Sequence, residues 1–362
     1  MRSHISTDEG LNGYRKDFEI KEYKVRKRFE KVAQQVILPF FLIKDRKAWR
    51  KVSYEMDILS RIQWQDISLE NIYNLSLAEQ RTHDDEFIAQ LSNDVKKVIE
   101  EKRIASKDAG GIVVDNIFMS QQLSDVIPNP WEAYRFSEDI LNKLISIHGE
   151  ALVSQNFSFV IEESKRQISE QRDVLAGVIF NKLLEDGTIR FMVVSDDLGY
   201  KLPKKIKAPA NAEYLRRPDG SPMQLSLFEY VAKESFTHQL EKPVAYFLDD
   251  QERLFFWYRN DAKKDYGIQA WKKDKIYPDF IFTVTDKKEK DKVKKVYIVE
   301  TKGVMLAGNP DTKYKESVFQ LCNRLAKKVA PNTLNLVMKD KEIEYEVIYG
   351  QEWQRRLREL FA

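Results

Sequence analysis

Apolar positions recur three or four residues apart through much of the first half of the chain. In "ILNKLISI" at 140–147 and "VLAGVIFNKLL" at 174–184 the spacing predicts helices that bury one face. From about 47 to 182 the pattern is mostly of this kind and predicts a mainly helical domain. It is broken by "DAGGIVVD" at 108–115, a turn and short strand, and by "IPNPW" at 127–131, whose prolines force an extended approach to a helix. The alternating charges of 14–34 suit a solvated helix or strand edge leading into the apolar run "VILPFFLI" at 36–43, and "TIRFMVV" at 188–194 predicts a strand.

The composition changes between 201 and 224, where Pro203, Pro209, Pro218 and Pro222 fall among lysines and arginines, so a linker is predicted there. Beyond it the pattern predicts helical segments at 223–238 and 242–250, then strands at 253–259, 278–285 and 295–301. A helix at about 312–329, strands near 334–338 and 344–349, and a last helix at 351–361 complete an α/β layout. The expected organisation is a mainly helical domain over 1–200, a linker over 201–224 and an α/β domain over 225–362.

Composition adds boundaries rather than identity. With 43% hydrophobic and 12% aromatic residues in 362, the chain is expected to be globular despite 32% charge. The net charge of +3 balances 60 basic against 57 acidic residues, so any nucleic-acid partner must be met by local patches. A single cysteine, Cys322, excludes an internal disulfide and, with four scattered histidines, a zinc cluster. The apolar run at 36–43 is too short to cross a bilayer, and "MRSHISTDEG" lacks signal-peptide character; a cytoplasmic protein away from the membrane is expected.

The candidate chemistry lies in "IYPDFIF" at 276–282 and "VYIVETKG" at 296–303. Asp279 follows Pro278, which cannot donate a ladder hydrogen bond and so marks a strand entrance. Glu300 and Lys302 end the next apolar strand, and a period of two places both on one face. Either segment alone reads as an ordinary strand with a polar end. Joined by the lysine-rich hairpin of 286–294, they predict two carboxylates and an ammonium converging on one point. Such a group suits magnesium, which prefers oxygen ligands and is completed by substrate phosphates. The expected chemistry is phosphodiester hydrolysis.

These two segments, "YPDF" with "VETKG", resemble the PD-(D/E)xK nuclease motif. More narrowly, with "EKPVAYFLDD" at 241–250, "FFWYRN" at 255–260 and "NPDTKYK" at 309–315, the chain is similar to the C-terminal endonuclease domain of type III restriction-enzyme Res subunits and related superfamily 2 helicase-nucleases. The resemblance implies a restriction endonuclease-like domain with a central mixed sheet flanked by helices. It implies that Asp279, Glu300 and Glu241 ligate Mg2+, with Mn2+ as a substitute, and that Lys302 serves the water and the phosphate. Lys315 and Gln320 are implied to assist at the site or contact the substrate, and a solvated lysine in the first turn of its helix is the alternative reading of Lys315. Arg259 is a further nucleic-acid candidate, although packing of the alternate aromatics of "FFWYRN", with Arg259 free at the strand end, is the simpler expectation. Lys204, Lys205, Lys207, Arg216 and Arg217 form a candidate strip for the DNA backbone, and the run at 287–295 reads as a solvated hairpin. His83 and His148 are expected to be structural or at the surface.

"VILPFFLI", "NPWEAYRF" and "IFNKLLEDGTIRFMVV" look like the region between motor and nuclease in these enzymes, yet the chain holds no GxxxxGK[ST] loop, and "HDDEF" at 83–87 lacks the apolar strand a helicase motif requires. The implied partners are therefore double-stranded DNA, a helicase motor in the same polypeptide or a separate subunit, and a DNA methyltransferase subunit, in restriction of foreign DNA. A silent DNA-binding or scaffolding subunit, or a repair or RNA nuclease of the same fold, stands as the alternative.

Overall fold

Short apolar strands near the start of the chain find their partners about 150 residues later. In the computed structural model of the protein, which describes residues 20–77, 114–194, 198–286, 288, 293–303, 308–326 and 342–362, the chain divides into two compact units. One is built from Met1–Tyr54 with Leu183–Ala362, the other from Glu55–Lys182. The expected strand at 334–338, "HDDEF" with His83, most of "DAGGIVVD" and most of the lysine run after 286 lie outside the described residues.

The first unit opens with β1 (Ile20–Lys24), α1 (Lys27–Ala33), β2 (Ile37–Leu38), β3 (Phe40–Asp45) and β4 (Ala48–Lys51). The second unit is helical, as its periodicity predicts: α2 (Glu70–Tyr73), α3 (Asn116–Leu123), α4 (Pro130–His148), α5 (Glu150–Gln155) and most of α6 (Phe157–Glu185). "IPNPW" supplies the start of α4, with Asn129 accepting from the Trp131 amide at 3.0 Å and Pro130 in the first turn, where its missing N–H costs nothing. Phe136, Ile140 and Leu144 on α4 share a core with Phe118, Met119 and Val160.

The chain then returns to the first unit through β5 (Ile189–Met192), β6 (Tyr200–Lys201) and β7 (Lys205–Pro209). β5 pairs with β3, β6 with β2 and β7 with β1, all antiparallel. These pairings correct the boundaries expected from sequence. Residues 20–54 and 183–200 belong to the same unit as the C-terminal half, and 201–224 is not a linker. Its prolines and lysines disguise a segment that buries Leu215 and Met223 and sends Arg217 to the buried carboxylate of Asp249 at 2.7 Å. The helix expected over 223–238 is also absent. Backbone pairing with the next strand outweighs helical spacing there, since Leu227 donates to Trp257 O at 2.8 Å and Trp257 donates to Leu225 O at 2.9 Å.

The rest of the unit runs α7 (Glu241–Asp249), β8 (Leu254–Arg259), β9 (Phe280–Thr285), β10 (Val293–Lys302), α8 (Pro310–Ala326), β11 (Glu342–Tyr349) and α9 (Trp353–Phe361). The four strands form one sheet in the order β11-β10-β9-β8. β8, β9 and β10 are an antiparallel meander, whereas β11 is parallel to β10 and reached by way of α8. Phe280, Phe282 and Val299 pack in one cluster with Val244 and Leu248 of α7 and Leu357 and Phe361 of α9. Against the other face, Tyr345 of β11 meets Phe319 of α8 and Phe191 of β5. With both faces covered, every residue of β9 is buried, Thr283 and Thr285 included, and the strand carries no charged residue. The fold is mixed α/β, and no helix among the described residues is long and apolar enough to cross a membrane.

Candidate functional site

Asp279 is set by the turn that feeds β9. Asn260, 2% exposed at the end of β8, donates from its side chain to Pro278 O at 2.8 Å and Tyr266 O at 2.9 Å, and accepts from the Tyr266 amide at 3.0 Å. The Asn260 amide donates to Asp279 O at 2.9 Å, and the Asp279 amide donates to Val299 O at 2.8 Å. Because Phe280 pairs with Val299, the same antiparallel register carries Asp279 to the level of Glu300. Asp279 Oδ2 then accepts from both the amide and the hydroxyl of Thr301, each at 2.7 Å.

Glu300, 4% exposed, points from β10 with Lys302, as the strand period predicts. Its Oε1 accepts from Lys302 Nζ at 3.1 Å and from Lys315 Nζ, in the second turn of α8, at 2.7 Å. Its Oε2 is buried and has no hydrogen-bond partner among the described residues. Burial raises the Glu300 pKa and the charge of Asp279 adds to this, with Lys315 and Lys302 opposing. Burial pulls the Lys315 ammonium down, but Glu300 and then Asp311 more than offset it and hold it above its ordinary value. Lys315 is a fixed cation rather than a base. Asp311, 60% exposed, lies 3.5 Å from Lys302 Nζ and 3.6 Å from Lys315 Nζ at the rim.

Glu241 begins α7 fully buried, with Oε2 accepting from the His238 amide at 3.3 Å and Oε1 from Arg259 Nη2 at 2.8 Å. Burial raises its pKa, opposed by Arg259 and reinforced by Asp279. Arg259 is thus not free at the strand end. It is 12% exposed and also donates from Nη1 to Asp279 Oδ1 at 3.1 Å and Asp279 O at 2.7 Å. Phe256, Trp257 and Tyr258 beside it are all buried, which removes them as stacking platforms for bases. The β8 strand is covered on both faces, so its aromatics do not alternate between core and solvent.

Gln320 is not brought to the site. It lies on the exposed side of α8 with Lys313 and Ser317, five residues and about 140° around the helix from Lys315. Of the proposed basic strip, Lys204, Lys205, Lys207 and Arg216 are exposed, with Lys205 paired to Glu22 at 2.8 Å, whereas Arg217 is half-buried and holds Asp249. His148 ends α4, in the other compact unit. Sequence reasoning missed Thr301 and Asn260. Thr301 stood inside the motif, but its hydroxyl bond to a residue on the neighbouring strand depends on register; Asn260 offered no signal beyond its place after an apolar strand.

Among the described residues no group of three or more His, Cys, Asp or Glu side chains is arranged to hold a metal ion. The three expected ligands do not gather because Arg259 stands between Glu241 and Asp279. A magnesium ion, however, requires only one or two carboxylates when substrate phosphates and water complete its shell. Asp279 and Glu300 supply two carboxylates from adjacent strands, and the unpartnered Glu300 Oε2 is a buried acceptor that such an ion would satisfy. Comparison with protein-family models, with curated proteins and with solved structures finds no match to this chain.

Proposed function

We propose that the chain is a magnesium-dependent DNA endonuclease module of restriction endonuclease-like fold, acting beside a helicase motor. The observation that carries this reading is the convergence of Asp279 and Glu300 from adjacent strands, with Lys302 and Lys315 on one oxygen of Glu300. The helix, antiparallel meander, helix and parallel strand from α7 to β11 support the fold. When bound, magnesium would polarise the scissile phosphate and stabilise the charge that develops on it.

The chain's own groups do the rest. Thr301 holds Asp279 Oδ2 in place, so that carboxylate is oriented before substrate arrives. Lys315, kept protonated, takes a phosphate oxygen. Lys302 orients the attacking water, and Asp311 at the rim yields the two ammoniums to the incoming phosphate. Exposed Lys204, Lys205 and Lys207 contact the DNA backbone away from the cut. The motor, and a methyltransferase subunit in a restriction setting, follow from the resemblance of the motif.

A silent DNA-binding subunit is the second reading. It is favoured by the pairing of the buried carboxylates with resident cations, Glu241 and Asp279 with Arg259 and Glu300 with Lys302 and Lys315. Supercoiled plasmid incubated with the full chain and Mg2+ or Mn2+ separates the two. Nicking that a chelator stops supports the nuclease, whereas DNA retention without nicking supports the silent subunit.

A further inference from the structure

We propose that Arg259 is a resident counter-cation of the site, and that a divalent ion binds by displacing its guanidinium from Asp279 Oδ1. The inference rests on the metal-dependent reading above. Both ends of the guanidinium are committed to carboxylates: Nη2 to Glu241 Oε1 at 2.8 Å and Nη1 to Asp279 Oδ1 at 3.1 Å. Asp279 Oδ2 is held by the amide and hydroxyl of Thr301 on the neighbouring strand, so an ion that takes the unpartnered Glu300 Oε2 and also reaches Asp279 meets Oδ1, where Arg259 is bound.

Charge counting gives the same answer. Inside the site three carboxylates, Glu241, Asp279 and Glu300, face three cations, and Asp311 adds a fourth carboxylate at the exposed rim. An added divalent ion leaves the buried part of the site with excess positive charge in a poorly solvated place, unless a resident cation withdraws or an anionic phosphate enters with it. Lys302 and Lys315 are tied to the oxygen of Glu300, and their departure would expose that carboxylate unpaired. Arg259 has somewhere to go. It forms part of the wall of a cleft of about 490 Å3, alongside Ser235, Asp261, Asp265 and Glu234. The Ser235 carbonyl already accepts from Nη2 at 3.1 Å, and the exposed carboxylate of Glu234 is one residue away in the chain. Nη2 can stay on Ser235 O and Glu241 Oε1 while Nη1 leaves Asp279, giving up its bonds to Oδ1 and to the Asp279 carbonyl at 2.7 Å.

Two consequences separate this from a merely structural arginine. Metal affinity without DNA is weak in the wild-type chain, and removing the guanidinium strengthens it although the substitution breaks a buried ion pair. The test is titration of Mn2+ into the full chain without DNA, read by the loss of the free-ion paramagnetic resonance signal. The proteins compared are wild type, Arg259→Gln, and Arg259→Gln with Glu241→Gln, the last keeping buried charges balanced should the single variant fail to fold. Each is repeated with Asp279→Asn.

The expected result is binding about tenfold tighter or more in the Arg259 variants, since a charge-assisted hydrogen bond no longer has to be broken, with the gain lost when Asp279→Asn is added. Equal or weaker binding in the folded Arg259 variants, with wild-type binding still dependent on Asp279, overturns the counter-cation role and leaves the metal site standing. No Asp279-dependent binding in any protein overturns both.

Discussion

Thr301 donates twice to one oxygen of Asp279, from its amide and from its hydroxyl, both at 2.7 Å. The residue between Glu300 and Lys302 thus orients the carboxylate of the neighbouring strand. Thr301→Val keeps the shape and the amide bond and removes only the hydroxyl. We expect a stability loss of about 1 kcal/mol, the worth of one such bond, and a fall of about tenfold in nicking. Chemical denaturation with a nicking assay checks this; an unchanged rate would show that Asp279 needs no second anchor.

Lys315 and Gln320 share α8 but not a face. Lys315→Met should lower nicking by about tenfold or more, because it removes a protonated group from the oxygen of Glu300. Gln320→Ala should change neither nicking nor the unfolding midpoint. A loss of activity in the Gln320 variant equal to that of Lys315→Met would refute the placement of the two.

The raised pKa of Glu300 has a consequence for stability. A carboxyl that holds its proton more tightly when folded stabilises the fold most below its ordinary value of 4.5, and that contribution is lost as pH rises through the higher folded value. The Glu300→Gln protein has no such loss. Denaturation midpoints of wild type and variant across that rise should therefore shift in favour of the variant as pH increases. A difference that stays flat, or moves the other way, would contradict the burial and charge repulsion assigned to Glu300.

Leu215 and Met223 test the corrected boundary. In a linker their truncation would cost nothing. Buried at 4% and 2% exposure in the core with Trp257 and Phe280, each should cost about 2–5 kcal/mol when changed to alanine. Urea unfolding of Leu215→Ala and Met223→Ala gives the answer, and midpoints equal to wild type would restore the linker.

The site was more legible in the sequence than the fold around it. Pro278 before Asp279, and the same-face pair Glu300 and Lys302, follow from the period of a strand, a local rule that the structure obeys. The α/β order after 240 was legible for the same reason, because each apolar run is bounded by its own breakers. The partners of β1, β2 and β3 were not. Their pairing with β7, β6 and β5 spans about 150 residues or more, and no periodicity encodes which distant strand completes a sheet. The pairing of Arg259 is not legible locally either: a charged residue ending an apolar strand looks solvated until the helix that brings Glu241 to it is in place.

The most direct measurement is the Mn2+-dependent nicking of supercoiled plasmid by the full chain and by its Lys302→Ala variant. The account predicts nicking by the wild type that falls about a hundredfold or more in the variant, with the unfolding midpoint essentially retained. Equal nicking by the two proteins, or none by the wild type at any concentration of divalent ion, would contradict it.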